Sequence, residues 1–188
     1  LKGSQITDNQ VNNAERTIKN IFLEKGFLNT EVNIVQRDDT TQNNSLILDI
    51  YVDKKEKVKV NEIFIDGNKE VKTVVLERAM KKTNAKKWRN FFKTKKFLQE
   101  EYKNDKIKLV EKYNEKGFRD AVISSDSVYQ VEVGKKKKTK VNIDLEIEEG
   151  NKYYFGDIKW VGNTIYSSDQ LSTVLGIRKG DVFNQSIL

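Results

Sequence analysis

The sequence predicts an α+β protein built from tandem copies of one small module, each a three-stranded mixed sheet packed on two helices in the order strand, helix, helix, strand, strand. Three observations carry that prediction. The stretch Glu62-Ile-Phe-Ile-Asp-Gly-Asn68 returns as Asp157-Ile-Lys-Trp-Val-Gly-Asn163, and an offset of 95 residues, Gly67 to Gly162, lays 45–68 on 140–163 without a gap. A second offset of 91 residues lays Glu24-Lys-Gly-Phe27 on Glu115-Lys-Gly-Phe118, with Val11, Ile18 and Phe22 falling on Tyr102, Leu109 and Tyr113. Around these anchors the apolar spacing changes from helical to alternating in the same order both times, as an array of one unit requires. The offsets differ by four residues, which places an insertion in the loop between the two aligned blocks.

Each element follows from local spacing. Val11, Ile18, Ile21 and Phe22 form a helical stripe over 11–25, and Gly26 follows where a left-handed residue closes a helix. Val32 and Ile34 alternate with polar neighbours; after a polar loop Leu46, Leu48, Ile50 and Val52 alternate again, and the two runs read as a hairpin. A strand with Val58, Val60, Ile63 and Ile65 ends at Asp66-Gly67-Asn68, residues that tolerate positive φ. A helix over 71–80 carries Val75, Leu76, Ala79 and Met80. The next helix, 100–116, places Tyr102, Ile107, Leu109, Val110 and Tyr113 on one broad face, and Gly117 caps it as Gly26 caps the first. Strands at 121–133 and 139–148 follow, then a strand at 153–161, a turn at Gly162-Asn163, and a helix opened by a Ser167/Gln170 capping box. These boundaries assign 1–56 to the C-terminal part of one module, 57–149 to a complete module and 150–188 to the N-terminal part of a third.

A chain of 188 residues, 37% hydrophobic, can bury one medium core or two small ones, and the repeat selects small ones. With no Cys and no His it has no disulfide, thiol nucleophile, imidazole base or ordinary zinc site, and no cofactor is expected. No apolar run approaches the length that crosses a bilayer. The sequence begins at Leu1 with no signal peptide, which reads as a piece of a longer protein. A net charge of +7 admits nucleic acid or an anionic membrane as a partner without demanding either. Adjacent carboxylates at Asp38-Asp39, Glu100-Glu101 and Glu148-Glu149 do not converge, because neighbours on a strand face opposite ways and acids at a helix start favour its dipole. Catalysis is not expected.

The module order, the Gly-Asn turns at Gly67-Asn68 and Gly162-Asn163, and the Gly-Phe pairs at Gly26-Phe27 and Gly117-Phe118 together resemble the POTRA domain. Such domains occur in arrays on outer-membrane barrel-assembly proteins. Glu148-Glu149-Gly150, a strand end running directly into the next module, and the long connection with Trp88 are similar to the third of five modules in those proteins. The flanking parts would then be the second and fourth. Asp53-Lys54-Lys55 stands where the pattern has Glu-Glu-Gly. The resemblance implies a periplasmic, non-enzymatic scaffold that binds assembly lipoproteins and unfolded outer-membrane proteins and is attached to an outer-membrane β-barrel in the full-length protein. TamA-like and two-partner-secretion transporters carry the same domain and fit the same pattern. The rival of another class is a nucleic-acid-binding array, although nucleic acid is not the expected partner.

The resemblance also implies a central third strand with the second strand at the sheet's edge. A partner strand is therefore expected along Ser124, Ser125, Asp126, Ser127, Val128, Tyr129, Gln130 and Val131, a run with no Lys or Pro whose charge is Asp126 alone. Binding would be β-augmentation. Strict alternation puts Ile123, Ser125, Ser127, Tyr129 and Val131 on one face, and Val122, Ser124, Asp126, Val128 and Gln130 on the other. A second candidate surface lies in 81–96, with eight Lys or Arg and no acid, where Lys86, Lys87, Trp88, Arg89, Phe91 and Phe92 combine a basic face with an aromatic stripe. The same aromatics also suit the module's own core. Lys135 to Lys138 reads as a solvated hairpin tip. The short link from Glu149 to Lys152 predicts a stiff junction. Finally, residues 152–188 of one molecule are expected to complete 1–56 of another, head to tail.

Overall fold

A computed structural model describes residues 6–83 and 95–187. The basic and aromatic candidates Lys86, Lys87, Trp88, Arg89, Phe91 and Phe92 lie outside the described residues. Helix α1 (Asp8–Glu24) starts earlier than its apolar stripe because Thr7 and Gln10 form a capping box, each side chain accepting from the other's backbone N–H. Val11 is buried and Ile18 and Phe22 are half-buried, but Ile21 faces solvent, so the stripe is narrower than expected. Strands β1 (Glu31–Asp38) and β2 (Leu46–Asp53) form the predicted antiparallel hairpin, Val32 opposite Val52 and Ile34 opposite Ile50.

The larger sheet consists of β3 (Lys59–Asp66), β4 (Val122–Val133) and β5 (Lys138–Glu148) in the order β3-β5-β4. β5 is central, parallel to β3 and antiparallel to β4, so the sheet is mixed as expected. Its inward row, Val141, Ile143, Leu145 and Ile147, is 0–3% exposed. That row meets Val60 and Ile65 of β3, Leu76 of α2 (Thr73–Ala79), and Tyr102, Leu109 and Tyr113 of α3 (Gln99–Asn114) in one core. Each such side chain taken from water contributes about 1.5–3 kcal/mol. In β3 the alternation breaks between Val60 and Ile63 because a bulge sits between Val60 and Glu62.

Two expectations fail here. On α3 the inward row is Tyr102, Asp105, Leu109 and Tyr113, while Ile107 is 58% exposed. Two residues from both Asp105 and Leu109, it lies about 200° round the helix from each. Asp105 takes an inward place because its carboxylate accepts from the backbone N–H groups of Lys82 at 2.7 Å and Thr83 at 2.6 Å, fastening the chain that leaves α2. The second failure is the strand at 153–161. Only Tyr154 makes a bridge, to Val182, before the turn and helix α4 (Ser168–Leu175), which carries the predicted Ser167/Gln170 box. A strand is held by its ladder, and the counterpart of β5 that would pair with 153–161 is absent from the described residues. A short 3₁₀ turn at Gln185–Ile187 follows.

Candidate docking edge and module joints

β4 is hydrogen-bonded to β5 on one side and to no strand on the other among the described residues. A bulge between Ile123 and Ser125 makes Ser124 the extra residue, and its hydroxyl donates to Glu146 O at 3.3 Å. The bulge corrects the expected division of faces. Ile123 lies opposite Ile147, and beyond the bulge Asp126, Val128 and Gln130 lie opposite Leu145, Ile143 and Val141, all on the helix side. Ser125, Ser127, Tyr129 and Val131 lie opposite Glu146, Asp144, Asn142 and Lys140 on the outer side. Ile123 with Ile147 repeats Val32 with Val52, so the four-residue insertion lies beyond that pair and the bulge takes up part of it.

The inward-facing Asp126 is anchored. Its carboxylate accepts from Lys106 Nζ at 2.6 Å and from the Tyr102 hydroxyl at 3.1 Å, which joins β4 to α3. The Lys106 ammonium, helped by that hydroxyl, holds the Asp126 carboxyl below its ordinary range. Burial, and then the nearby Asp126 charge, push the Tyr102 hydroxyl up. Beside this anchor a groove of about 410 Å³ runs between α3 and β4, with Ile107, Val110 and Ile123 as its apolar lining and Lys106, Glu111 and Asp126 at its sides. At the other end of the edge, Asn29 and Gln130 exchange side-chain amide hydrogen bonds of 3.3 and 2.9 Å, linking the α1–β1 turn to β4. The open stretch is therefore Ser125 to Val131, rimmed by an apolar groove.

Glu149, set aside as a catalytic candidate, has a different task. The residue is 8% exposed, and its carboxylate accepts from the backbone N–H groups of Lys69 (3.0 Å), Glu70 (2.9 Å) and Val71 (3.1 Å) and from the Tyr113 hydroxyl (3.0 Å). The turn that forms this nest is braced by Asn68, whose amide donates to Val71 O and Thr73 Oγ1. Gly67 permits the close approach: φ is +81° and an added Cβ would fall 2.1 Å from Ile147 O. Gly162 and Asn163 form the same turn in the next unit, with φ +80° at Gly162 and Asn163 donating to Tyr166 O and Ser168 Oγ. The sequence signal for the clasp was present in Glu148-Glu149-Gly150, and the alternation of Val141, Ile143, Leu145 and Ile147 continues to Glu149 as the inward carboxylate.

Gly26 and Gly117 close their helices in the left-handed region, with φ +86° and +93°. They also make a joint that spacing alone did not reveal. Gly26 O accepts from Val58 N–H at 3.1 Å, and Gly117 O accepts from Tyr153 N–H at 2.8 Å, so each glycine carbonyl holds the chain entering the next unit. The following phenylalanines repeat too: Phe22–Phe27 and Tyr113–Phe118 are edge-on pairs with centroids 5.9 Å apart. Lys57 lies 4.7 Å from the Phe27 ring centroid, and Lys152 lies 5.9 Å from that of Phe118. Facing the second joint, Arg119 stacks on Tyr153, whose hydroxyl donates to Asp120.

Among the described residues, no three or more His, Cys, Asp or Glu side chains are grouped to hold a metal, and no helix is long and apolar enough to cross a membrane. The POTRA family, described as "Surface antigen variable number repeat", matches residues 58–150 and 153–188. The outer membrane protein assembly factor BamA of Neisseria meningitidis serogroup B (strain ATCC BAA-335 / MC58) is 25% identical over 154 residues, 82% of this chain and 19% of that protein. A protein of Treponema pallidum (strain Nichols) is 19% identical over 170 residues, 90% of this chain and 20% of its own length. The chain thus spans about a fifth of the length of these curated relatives. Among solved structures, BamA from Haemophilus ducreyi lacking POTRA domains 1-3 superposes with a TM-score of 0.50 at 17% identity, over 83% of this chain and 27% of that one, a likeness of fold. Since the two matched segments together cover more than half of its residues, the chain belongs to the POTRA family.

Proposed function

We propose that this chain is part of a periplasmic, non-enzymatic scaffold for outer-membrane protein assembly, in which β4 receives extended segments of unfolded outer-membrane proteins or of assembly lipoproteins. The observation that carries this reading is the unpaired edge from Ser125 to Val131 lying beside the Ile107, Val110 and Ile123 groove. Backbone hydrogen bonds along the edge supply affinity without regard to sequence, and alternate apolar side chains of the guest fall into the groove. That combination suits clients that share β-strand alternation and little else. The bulge at Ser124 shifts the register with β5 at one end of this stretch, and the Asp126 charge is paired with Lys106. The relative from Neisseria meningitidis is an outer membrane protein assembly factor, BamA, which supports this reading, and attachment to a β-barrel is part of the proposal.

Proline substitutions at adjacent positions test the proposal. Successive amides of a strand point to opposite sides, so of Ser127→Pro and Val128→Pro one removes an outward donor and the other breaks the β5 ladder. The outward variant keeps its fold by circular dichroism and loses at least about 10-fold in affinity for a peptide from an outer-membrane barrel strand, the loss expected when ladder bonds are blocked. A folded variant of each kind that binds as the parent does places the docking site elsewhere.

A further inference from the structure

The lysine run at 135–138, read from the sequence as a solvated hairpin tip, is exposed but not isolated. The hairpin turns at 134–137, where Lys137 N–H donates to Gly134 O at 3.0 Å. Lys136, Lys137 and Lys138 border a cleft of about 640 Å³ together with Lys55, Glu56 and Lys57 of the linker that enters the complete module. Asn29 lines the same cleft, and its paired amide bonds to Gln130 tie the α1–β1 turn to the strand that carries the tip.

Five lysines and two glutamates in the lining leave a net charge of +3. Lys55 is paired with Asp53 at 2.5 Å and with Glu31 at 3.3 Å, and Lys137 lies 3.8 Å from Glu132. Among the described residues no carboxylate pairs with Lys57, Lys136 or Lys138; Lys57 lies over the Phe27 ring instead. The backbone is unusual for lysine on both sides of the cleft. Lys55 has φ +51° where Gly150, its counterpart 95 residues on, has φ +66°, and Lys137 has φ +44°. A side chain in the left-handed region crowds its own backbone, so glycine or asparagine is the ordinary choice there. Positive charge is thus gathered in one place against both backbone preference and like-charge repulsion.

We propose that this cleft binds an anion carrying two neighbouring phosphates. A phosphate group brings up to about two negative charges, so a pair of them matches the lining's +3 within a small volume, whereas an acidic peptide spreads its carboxylates along a chain. Ammoniums are point charges with three donors each, and several can approach a tetrahedral phosphate from different sides. The Thr139 hydroxyl adds a neutral donor. Glu56 opposes any anion in the cleft, which sets the demand for more than one charge on the ligand. Once bound, the anion bridges the linker at 55–57 and the hairpin tip at 136–138, so it braces the joint between the first unit and the complete module. A lipid headgroup and a soluble diphosphate present the same chemistry, and the arms of the test separate them.

Pyrophosphate is titrated into the ¹⁵N-labelled chain, and vesicles of phosphatidylcholine with and without cardiolipin are tested by co-sedimentation. The expected result is saturable binding that weakens as salt rises, with pyrophosphate shifting the Lys57, Lys136, Lys138 and Thr139 amides. Lys136→Gln with Lys138→Gln keeps the fold by circular dichroism and binds at least about 10-fold more weakly, the scale of lost charge-assisted contacts. Lys112→Gln with Lys116→Gln, which removes the same charge on and just after α3, binds as the parent does. Pyrophosphate shifts without recruitment to vesicles assign a soluble anion, and recruitment by cardiolipin with the same dependence on Lys136 and Lys138 assigns a headgroup. Binding to neither probe, equal weakening by the two lysine pairs, or equally tight binding of a hexaglutamate peptide overturns the proposal. None of these residues belongs to the 125–131 edge, so a failure of that docking reading leaves this result unaffected.

Discussion

Replacing Gly67 by Ala, with Gly162→Ala as its internal control, measures what the central strand does to the turn beneath it. Both glycines have nearly the same backbone, φ +81° and +80°. A left-handed alanine costs roughly 1–2 kcal/mol at either position. At Gly162 nothing lies within 4 Å of the added Cβ, so the cost ends there. At Gly67 the Cβ falls 2.1 Å from Ile147 O and 3.1 Å from Ile147 C, and that obstacle is backbone of β5, which cannot rotate aside. Overpacking of this kind adds about 1–3 kcal/mol, for a total of about 2–5 kcal/mol. Native-state hydrogen exchange at Val141 and Ile143 reads the opening of this core. It should accelerate about 25-fold or more in Gly67→Ala, since each ~1.4 kcal/mol is tenfold, and stay near the parent rate in Gly162→Ala. Equal effects of the two substitutions, or unchanged exchange in Gly67→Ala, would refute the claim that β5 presses on this turn.

Two further outcomes are expected. The Asp126 carboxyl titrates below its unfolded value when folded, so its contribution is present above about pH 4 and lost as pH falls through the folded value; Asp126→Asn should melt lower than the parent at pH 7, with the gap closing toward pH 3, and a gap independent of pH would show that Lys106 does not hold it. In Gly117→Ala the Cβ would fall 2.6 Å from Val182 Cγ1 and 3.1 Å from Tyr153 O, displacing the Tyr153 N–H from the Gly117 carbonyl; ¹⁵N relaxation should then give residues 153–183 their own, shorter correlation time, whereas the parent tumbles with one, and separate times in the parent would count against a stiff joint.

Periodicity made most of the scaffold legible, because strands β1 to β5 and helices α1, α3 and α4 each bury or present a row that spacing reveals. It failed where a tertiary contact outweighs local preference. Asp105 sits inward on α3 in place of an apolar residue because two backbone donors await it, and no pattern within the helix announces donors that arrive from residues 82 and 83. Strict alternation assigned the faces of β4 wrongly from Ser124 onward, since a single bulged serine reverses every later side chain. The segment 153–161 has the composition of a strand and lacks a ladder, and composition cannot report a missing partner. The edge location of β4 was implied by the family resemblance and holds; the groove beside it depends on Ile107 facing outward, which the broad-face reading of α3 had turned inward.

The glycine joint has a consequence for how such an array changes its length. Across the joint, equivalent groups lie at three different separations: Gly26 and Gly117 at 91 residues, Val58 and Tyr153 at 95, and Phe97 and Phe183, which both donate back to the first strand's residues at Val58 and Tyr153, at 86. The hydrogen bonds agree although the residue counts do not. Extra residues have therefore gone between these bonds, into the segment from Gly117 to Tyr153 that holds the β4–β5 hairpin and into the segment from Val58 to Phe97. Step size is fixed by one carbonyl and one amide, while the flanks are free to grow, so a module can acquire a longer edge or a new loop without altering the pitch at which the next one is mounted.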